Sequence, residues 1–289
     1  MIKKSIIFAV ILLLAYEAII RVSHLQWDTS QNDKSVNLIS AQNFIYNISD
    51  AAIEKDTIII GSSVSRKLVT AALGQNYYNL AFNAWSSYDG LELIKLAHKK
   101  PACLLIETNV VGNQSLQQDV TGSLSPVSYY PNKLLKSFQL QNQPVGLLIG
   151  AIKEKMKARM EEMKRLKREN QDLYNYNIKM EKEKQMNVLP DSVYTARFTV
   201  LKKLVEDFKK QNIQIIFFEI PFDKELENTA TMVTNRKFFR QYFPETEYRY
   251  VALPAANDYV YSDGLHLSQQ SALPYTLYLK NEIEKLKTK

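Results

Sequence analysis

Cysteine is almost absent: Cys103 is the only one in 289 residues. A single thiol excludes an internal disulfide and a thiolate zinc cluster, and it stands too far along the chain to carry a lipid just after an N-terminal leader. Histidine is nearly as scarce, with His24, His98 and His266 the whole supply. Scattered imidazoles and one cysteine offer no metal-ligand spacing, so neither a metal nor another cofactor is expected. No recognisable nucleic-acid motif is present. The formal charge of +7 comes from Lys-rich segments and not from a stripe of arginines and aromatics. It reads as a solvated face that also suits an approach to anionic lipid or polysaccharide, and nucleic acid is not expected as a partner. The triplets Asn47-Ile48-Ser49 and Asn113-Gln114-Ser115 match a glycosylation pattern that arises often by chance, and they carry no weight.

What the chain does have is apolar residues, 46% of the total, enough for one sizeable core. Ser5 to Ile20 is an apolar run broken only by Tyr16 and Glu17, with Lys3 and Lys4 before it and Arg21 after it. It reads as a signal sequence or a short membrane anchor, and the absence of a small-x-small cleavage pattern favours the uncleaved anchor. The flanking lysines keep the N-terminus cytoplasmic and the rest outside. Glu17 then requires an interface or a protein partner. Export without disulfides fits a bacterial envelope, periplasm or cell surface.

Three segments follow: an anchor over 1–24, a tether and entry to the fold over 25–50, and a folded domain over 51–289. Gln26 to Asn37 is polar and suits the tether. Beyond it, apolar runs at Thr57 to Ile60, Tyr77 to Leu80, Cys103 to Glu107, Ile213 to Ile220 and Tyr248 to Leu253 alternate with helix-spaced stripes such as Leu91, Leu93, Ile94, Ala97 and Val200, Leu201, Leu204, Val205, Phe208. Runs buried on both faces and separated by helices predict an α/β domain with a parallel sheet. Ile152 to Lys184 departs from that rhythm, being crowded with charge around a narrow stripe of Ile152, Met156, Met160, Met163, Leu166 and Leu173. It predicts a long amphipathic helix inside a charged insertion at about 151–189. Two readings stand: a surface insertion lying on the domain, or a pairing surface for another helix, with Arg159 and Asn170 interrupting a strict heptad.

The candidate chemistry narrows by elimination. His24 adjoins the apolar run, and His98 sits at a predicted helix C-terminus, where an imidazolium complements the dipole. His266 alone has a carboxylate within a turn, Asp263, which can fix the ring tautomer that leaves Nε2 free to take a proton. An ordinary turn at Asp263-Gly264 followed by a helix start fits the same residues equally well. Ser63 follows a strand-like run and Gly61, at the edge where α/β sheets present functional groups, and a helix starting near Ser65 would aim its amides there. A serine at such a turn is also commonly only an N-cap, as Ser62 and Ser65 illustrate. Trp27 and Trp85 read as an interfacial anchor and a core or pocket aromatic. Arg66 reads as a helix-surface charge or a contact for an acidic group, and Asp89 and Asp258 as spare carboxylates near the same edge.

Taken in order, these residues resemble the SGNH or GDSL hydrolases. Ile58-Ile59-Ile60-Gly61-Ser62-Ser63 resembles the family's strand followed by Gly-Asp-Ser, in the Gly-Ser-Ser form of membrane-anchored branches. Tyr78-Asn79-Leu80-Ala81 resembles its Asn-x-Gly block, with alanine for glycine. Leu105-Ile106-Glu107-Thr108-Asn109 resembles Gly-x-Asn, with glutamate for glycine, and Asp263-Gly264-Leu265-His266 is similar to Asp-x-x-His throughout. The resemblance covers Asp56 to Ala272. It implies a flavodoxin-like three-layer α/β/α sandwich around a mainly parallel five-stranded sheet. It also implies a Ser63, Asp263, His266 triad and an oxyanion hole from the amides of Ser63 and Ala81 with the Asn109 side chain. The activity implied is that of a membrane-tethered, extracytoplasmic esterase or O-acyltransferase acting on acyl, chiefly acetyl, esters of envelope polysaccharide, with a membrane-bound O-acyltransferase as a partner. Two other readings compete: a catalytically inactive envelope component that keeps the fold and binds a partner, and an interaction protein built around Ile152 to Lys184 as a coiled coil.

Overall fold

The computed structural model describes residues 2–23, 28–110, 120 and 122–287; His24, Trp27, the second sequon and the start of the expected tether lie outside them. In chain order the elements used below are α1 (Ile2–Ser23), α2 (Asp33–Gln42), β1 (Thr57–Ile60), β2 (Tyr77–Asn79), α3 (Ser87–Leu96), β3 (Cys103–Glu107), α4 (Pro126–Leu134), α5 (Pro144–Glu169), α6 (Gln171–Met186), α7 (Asp191–Lys209), β4 (Gln214–Phe218), α8 (Ala230–Tyr242), β5 (Arg249–Tyr250) and α9 (Gln269–Lys287). Two compact units result, Met1–Ile48 with Gln117–Glu162 and Ser49–Leu116 with Met163–Lys289.

In the first unit, α1 is 22 residues long with a mean hydropathy of 2.2 over its most apolar window, which is long and apolar enough to cross a membrane or to serve as a signal sequence. Glu17 is 6% exposed, and its carboxylate accepts from the amides of Lys136 (3.1 Å) and Ser137 (2.8 Å) and from Arg21 (2.6 Å). A buried acid in an apolar run is thus fully hydrogen-bonded. The stretch read as a tether is helical from Asp33. Asn32 accepts from the Ser35 amide and Ser35 Oγ from the Asn32 amide, a capping box, while Ala41, Phe44 and Ile45 are buried. The polar composition there belongs to a cap and the wet side of a helix.

The second unit holds a five-stranded, all-parallel sheet in the order β2-β1-β3-β4-β5. Every residue of β1 and β3 is buried. Such runs bury both faces: Ile59, Leu105, Ile216 and Phe218 share a core with Tyr275, Leu279 and Ile283 of α9. On the alternate residues, Phe217 packs edge-on against Phe239 and tilted against Phe243 and Tyr248, and Gly90 of α3 lies on Ile60. Chain direction across the sheet reverses between β1 and β3, so their carboxyl ends flank a natural crevice.

Three local expectations shift. The helix expected near Ser65 is one 3-10 turn, Ser65–Lys67, and the last apolar run yields only the two residues of β5. The single long helix at Ile152 to Lys184 is two helices, because the Asn170 side chain accepts from the Leu173 amide (2.9 Å) and caps α6.

A Cβ at position 90 would stand 2.3 Å from Ile60 Cγ2. Gly90→Ala is therefore expected to destabilise the sheet unit by about 1–3 kcal/mol through overpacking, read from the midpoint of urea unfolding of the full chain in detergent.

Candidate active site

β1 ends at Ile60, and the next residues divide three serines between inside and outside. Ser62 and Ser65 are 3% and 0% exposed. Both turn toward Glu107 at the end of β3, whose carboxylate accepts from the Ser62 amide (2.8 Å), Ser62 Oγ (2.8 Å), the Ser65 amide (3.2 Å) and Ser65 Oγ. Gly61 leaves room for this, since a Cβ there would lie 2.3 Å from Glu107 Oε2. Ser63, between the two anchored serines, is left facing a cleft of about 470 Å³.

The Asp263–His266 turn brings His266 to the same cleft. Asp263 Oδ1 accepts from the amides of Leu265 (3.1 Å) and His266 (2.8 Å), while its Oδ2 accepts from His266 Nδ1 (2.8 Å). One carboxylate therefore shapes the turn and orients the ring. That bond assigns the tautomer in which Nε2 is the acceptor, and Ser63 Oγ lies 2.8 Å from it. Gly264 takes φ +90, and its carbonyl accepts from the Asp223 amide (2.8 Å). His266 is no helix start: its carbonyl accepts from the Ser262 amide (2.8 Å), and α9 begins at Gln269. The His266 and Asp263 side chains are 21% and 36% exposed, so the pair is reached from solvent.

Asn109 is 2% exposed and lines the cleft. Its Oδ1 accepts from the Ile220 amide (2.9 Å) and its Nδ2 donates to the Ile220 carbonyl (2.7 Å), which holds the amide rigidly and leaves one Nδ2 proton uncommitted by this pair. Ala81 is not brought to the site. It is fully buried away from the cleft lining, and its N–H donates to Asn79 Oδ1 (3.0 Å) while its carbonyl accepts from Arg66 (3.0 Å). Three residues on, Ala84 does line the cleft, with φ +57, a left-handed backbone in a residue other than glycine. The N–H groups of Ser63 and Ala84 have no hydrogen-bond partner among the described residues. Ala84 was missed because an alanine in left-handed conformation has no mark in sequence.

Asp89 and Asp258, the two spare carboxylates of the sequence, do not line the cleft. Asp89 is 1% exposed and accepts from the Ser86 amide (2.8 Å) and hydroxyl (3.2 Å), capping α3; burial pushes its carboxyl up to about 6 against those bonds. Asp258 is exposed, and so is His98, which ends α3 with φ +53. Trp85 is 7% exposed beside Phe82 and lines the cleft. Among the described residues, no group of three or more His, Cys, Asp or Glu is placed to hold a metal ion.

α6 forms one wall of the cleft through Glu181, Lys184 and Gln185, a contribution that the charged composition of the segment concealed. Gln185 accepts from Thr229 Oγ1 (2.6 Å), Tyr174 donates to Asp223 (2.7 Å), and Ile178 fills the space above Gly264. Compared with protein-family models and with curated proteins, the chain matches none.

Full burial raises the Glu107 carboxyl above its ordinary value, against the pull of the Ser65 and Ser62 hydrogen bonds. The folded chain then keeps a proton that the unfolded chain has already released, so this group makes stability fall as pH rises from the ordinary carboxylate range to the folded value. Asp263 has the opposite sign: burial alone would raise it, but the His266 ring and the turn amides bring it below the ordinary value. Its contribution is present above the ordinary carboxylate value and is lost as pH falls through the folded one. Glu107→Gln is expected to flatten the Glu107 slope. Glu107→Ala leaves the Ser62 and Ser65 amides without acceptors and is expected to cost about 3 kcal/mol or more. Urea unfolding across a pH series reads both.

Proposed function

We propose that this chain is a membrane-tethered serine hydrolase of the SGNH or GDSL kind, an esterase or O-acyltransferase acting on acyl esters, chiefly acetyl, of envelope polysaccharide. The observation that carries the reading is the unbroken line from Ser63 Oγ to His266 Nε2 (2.8 Å), both lining an open cleft, and from His266 Nδ1 to Asp263 behind it (2.8 Å). Nucleophile, base and orienting acid stand at the spacing that acyl transfer requires. The strand order β2-β1-β3-β4-β5 supports a flavodoxin-like three-layer α/β/α arrangement, with Ser63 at the carboxyl edge where its strand order reverses.

In this reading Ser63 Oγ attacks the ester carbonyl while its proton passes to His266 Nε2. Asp263 holds the imidazolium by its Nδ1–H bond. The oxyanion is met by the N–H groups of Ser63 and Ala84 and by the uncommitted Nδ2 proton of Asn109. Collapse breaks the bond to the sugar oxygen, which leaves with the proton from His266. Water then hydrolyses the acyl-Ser63 ester, or a sugar hydroxyl takes the acyl group, with His266 again accepting the attacking proton. The cleft also carries what a glycan would use, the Trp85 ring and the polar Asn187, Thr231 and Asn235 side chains. Lys3 and Lys4 at the N-terminal end of α1 support a cytoplasmic N-terminus, with the sheet unit outside the cytoplasmic membrane of a bacterial envelope. A multi-spanning O-acyltransferase there would be the source of acyl groups.

The purified full chain is expected to react with a fluorophosphonate probe and to hydrolyse 4-nitrophenyl acetate. Ser63→Ala should abolish labelling and reduce turnover by about 10⁴-fold or more while leaving the unfolding midpoint near wild type. An unlabelled wild-type chain, or a Ser63→Ala variant that still turns over, defeats the assignment. Asn109→Ala should lower kcat by about 10²-fold or more with a smaller change in KM, as loss of an oxyanion donor requires.

A further inference from the structure

α4 carries an apolar stripe that is exposed among the described residues: Val127, Tyr130 and Leu134 are 85%, 69% and 71% exposed, and Phe138 just beyond is 41% exposed. Positions i, i+3 and i+7 fall on one helix face. The end of this helix is tied to the last turns of α1. Arg21 donates to the Leu134 carbonyl (2.8 Å), Glu17 accepts from the Lys136 and Ser137 amides, and the Tyr16 hydroxyl donates to the Asn142 carbonyl (2.6 Å).

Those ties fix a depth. A hydrocarbon layer about 30 Å thick takes about 20 helical residues. Counted from the cationic Lys4, α1 uses up that length close to its own end at Ser23. Glu17 stands six residues before Ser23, or about 9 Å along the axis. Residues 134–142 are therefore held beside the part of α1 that passes from acyl chains into headgroups. Exposed Lys133 and Lys136 flank the stripe at that level, where long cationic side chains reach anionic headgroups while their stems cover apolar surface.

We infer that the Val127, Tyr130 and Leu134 face of α4 lies in the headgroup and acyl boundary of the same bilayer that α1 crosses, making the first unit a two-point membrane mount. This inference rests on the anchor part of the reading above and is independent of the chemistry at Ser63. Two contacts at one level restrict the rocking that a single helix permits.

The test uses the full chain in liposomes of phosphatidylcholine and phosphatidylglycerol, with Val127→Cys, Leu134→Cys or Ile11→Cys each labelled with an environment-sensitive fluorophore. Cys103, 2% exposed, stays unlabelled in the folded protein. Labels at 127 and 134 should show blue-shifted emission, quenched more by shallow than by deep doxyl lipids, and the label at 11 should be quenched more by deep ones. Aqueous emission at 127 and 134 with a lipid-buried label at 11 overturns the inference and leaves the anchor standing. Aqueous emission at all three positions overturns the anchor and the inference together.

Discussion

The buried carboxyl of Glu107 is the constraint on which the rest of the site depends. It sits at the end of one central strand and collects two amides and two hydroxyls from the turn that leaves its neighbour. A fully buried acid is costly unless every lone pair is used, and here the use of those lone pairs dictates the path of residues 61–65. With Ser62 and Ser65 drawn inward, Ser63 has only the outward direction left. The nucleophile candidate is thus placed by its neighbours, and its own hydroxyl stays free to meet His266.

This explains why two departures from the pattern that the sequence resembles belong together. Serine at position 62 and glutamate at position 107 looked like separate losses in sequence, one of an acid and one of a glycine. In the folded chain they are partners, with the carboxylate supplied from β3 and the hydroxyl from the turn. The glycine that matters for space is Gly61, where any Cβ would collide with Glu107. The third departure has a different outcome. Ala81 has its N–H bonded to Asn79, and the cleft-lining residue with a strained backbone is Ala84. A non-glycine residue held at positive φ costs on the order of 1 kcal/mol, a strain that the surrounding contacts must hold in place.

How far sequence carried the reading follows from how local each signal was. The strands of the sheet were legible because Ile58-Ile59-Ile60 and Leu104-Leu105-Ile106 are short runs apolar on both faces, as strands of a sheet covered on both sides are. Asp263 and His266 were legible because they stand three positions apart and their bonds lie within one turn. Polar segments misled. Asp33 to Asn37 looked like a tether because a capping box and a solvated helix face have the composition of a linker, and Asn170 looked like a flaw in a heptad because its role is a cap. Long-range pairs such as Tyr174 with Asp223, or Thr229 with Gln185, leave no trace in one sequence.

The charged insertion shows the same difficulty most fully. Its sequence admits two readings, a helix lying on the surface or a seam for another helix. α6 lies on the domain as the first has it, but through Tyr174, Ile178 and Gln185; Ile152, Met156, Met163, Leu166 and Leu173 of the expected stripe stay exposed. Ile178 presses so close to Gly264 that a Cβ there would stand 2.3 Å from its Cδ1, and Leu226 closes the other side at 2.9 Å. Tyr174 bonds the Asp223 carboxylate, and the Asp223 amide bonds the Gly264 carbonyl, so α6 and the loop after β4 grip the His266 turn from two directions. Gly264 meets both demands at once, a positive φ and no side chain, which no other residue satisfies. Few residues of α6 face inward, and the Lys and Glu majority on its wet side hides them from any periodicity count. A segment that reads as decoration on the domain is therefore part of the mould that sets where the imidazole meets Ser63.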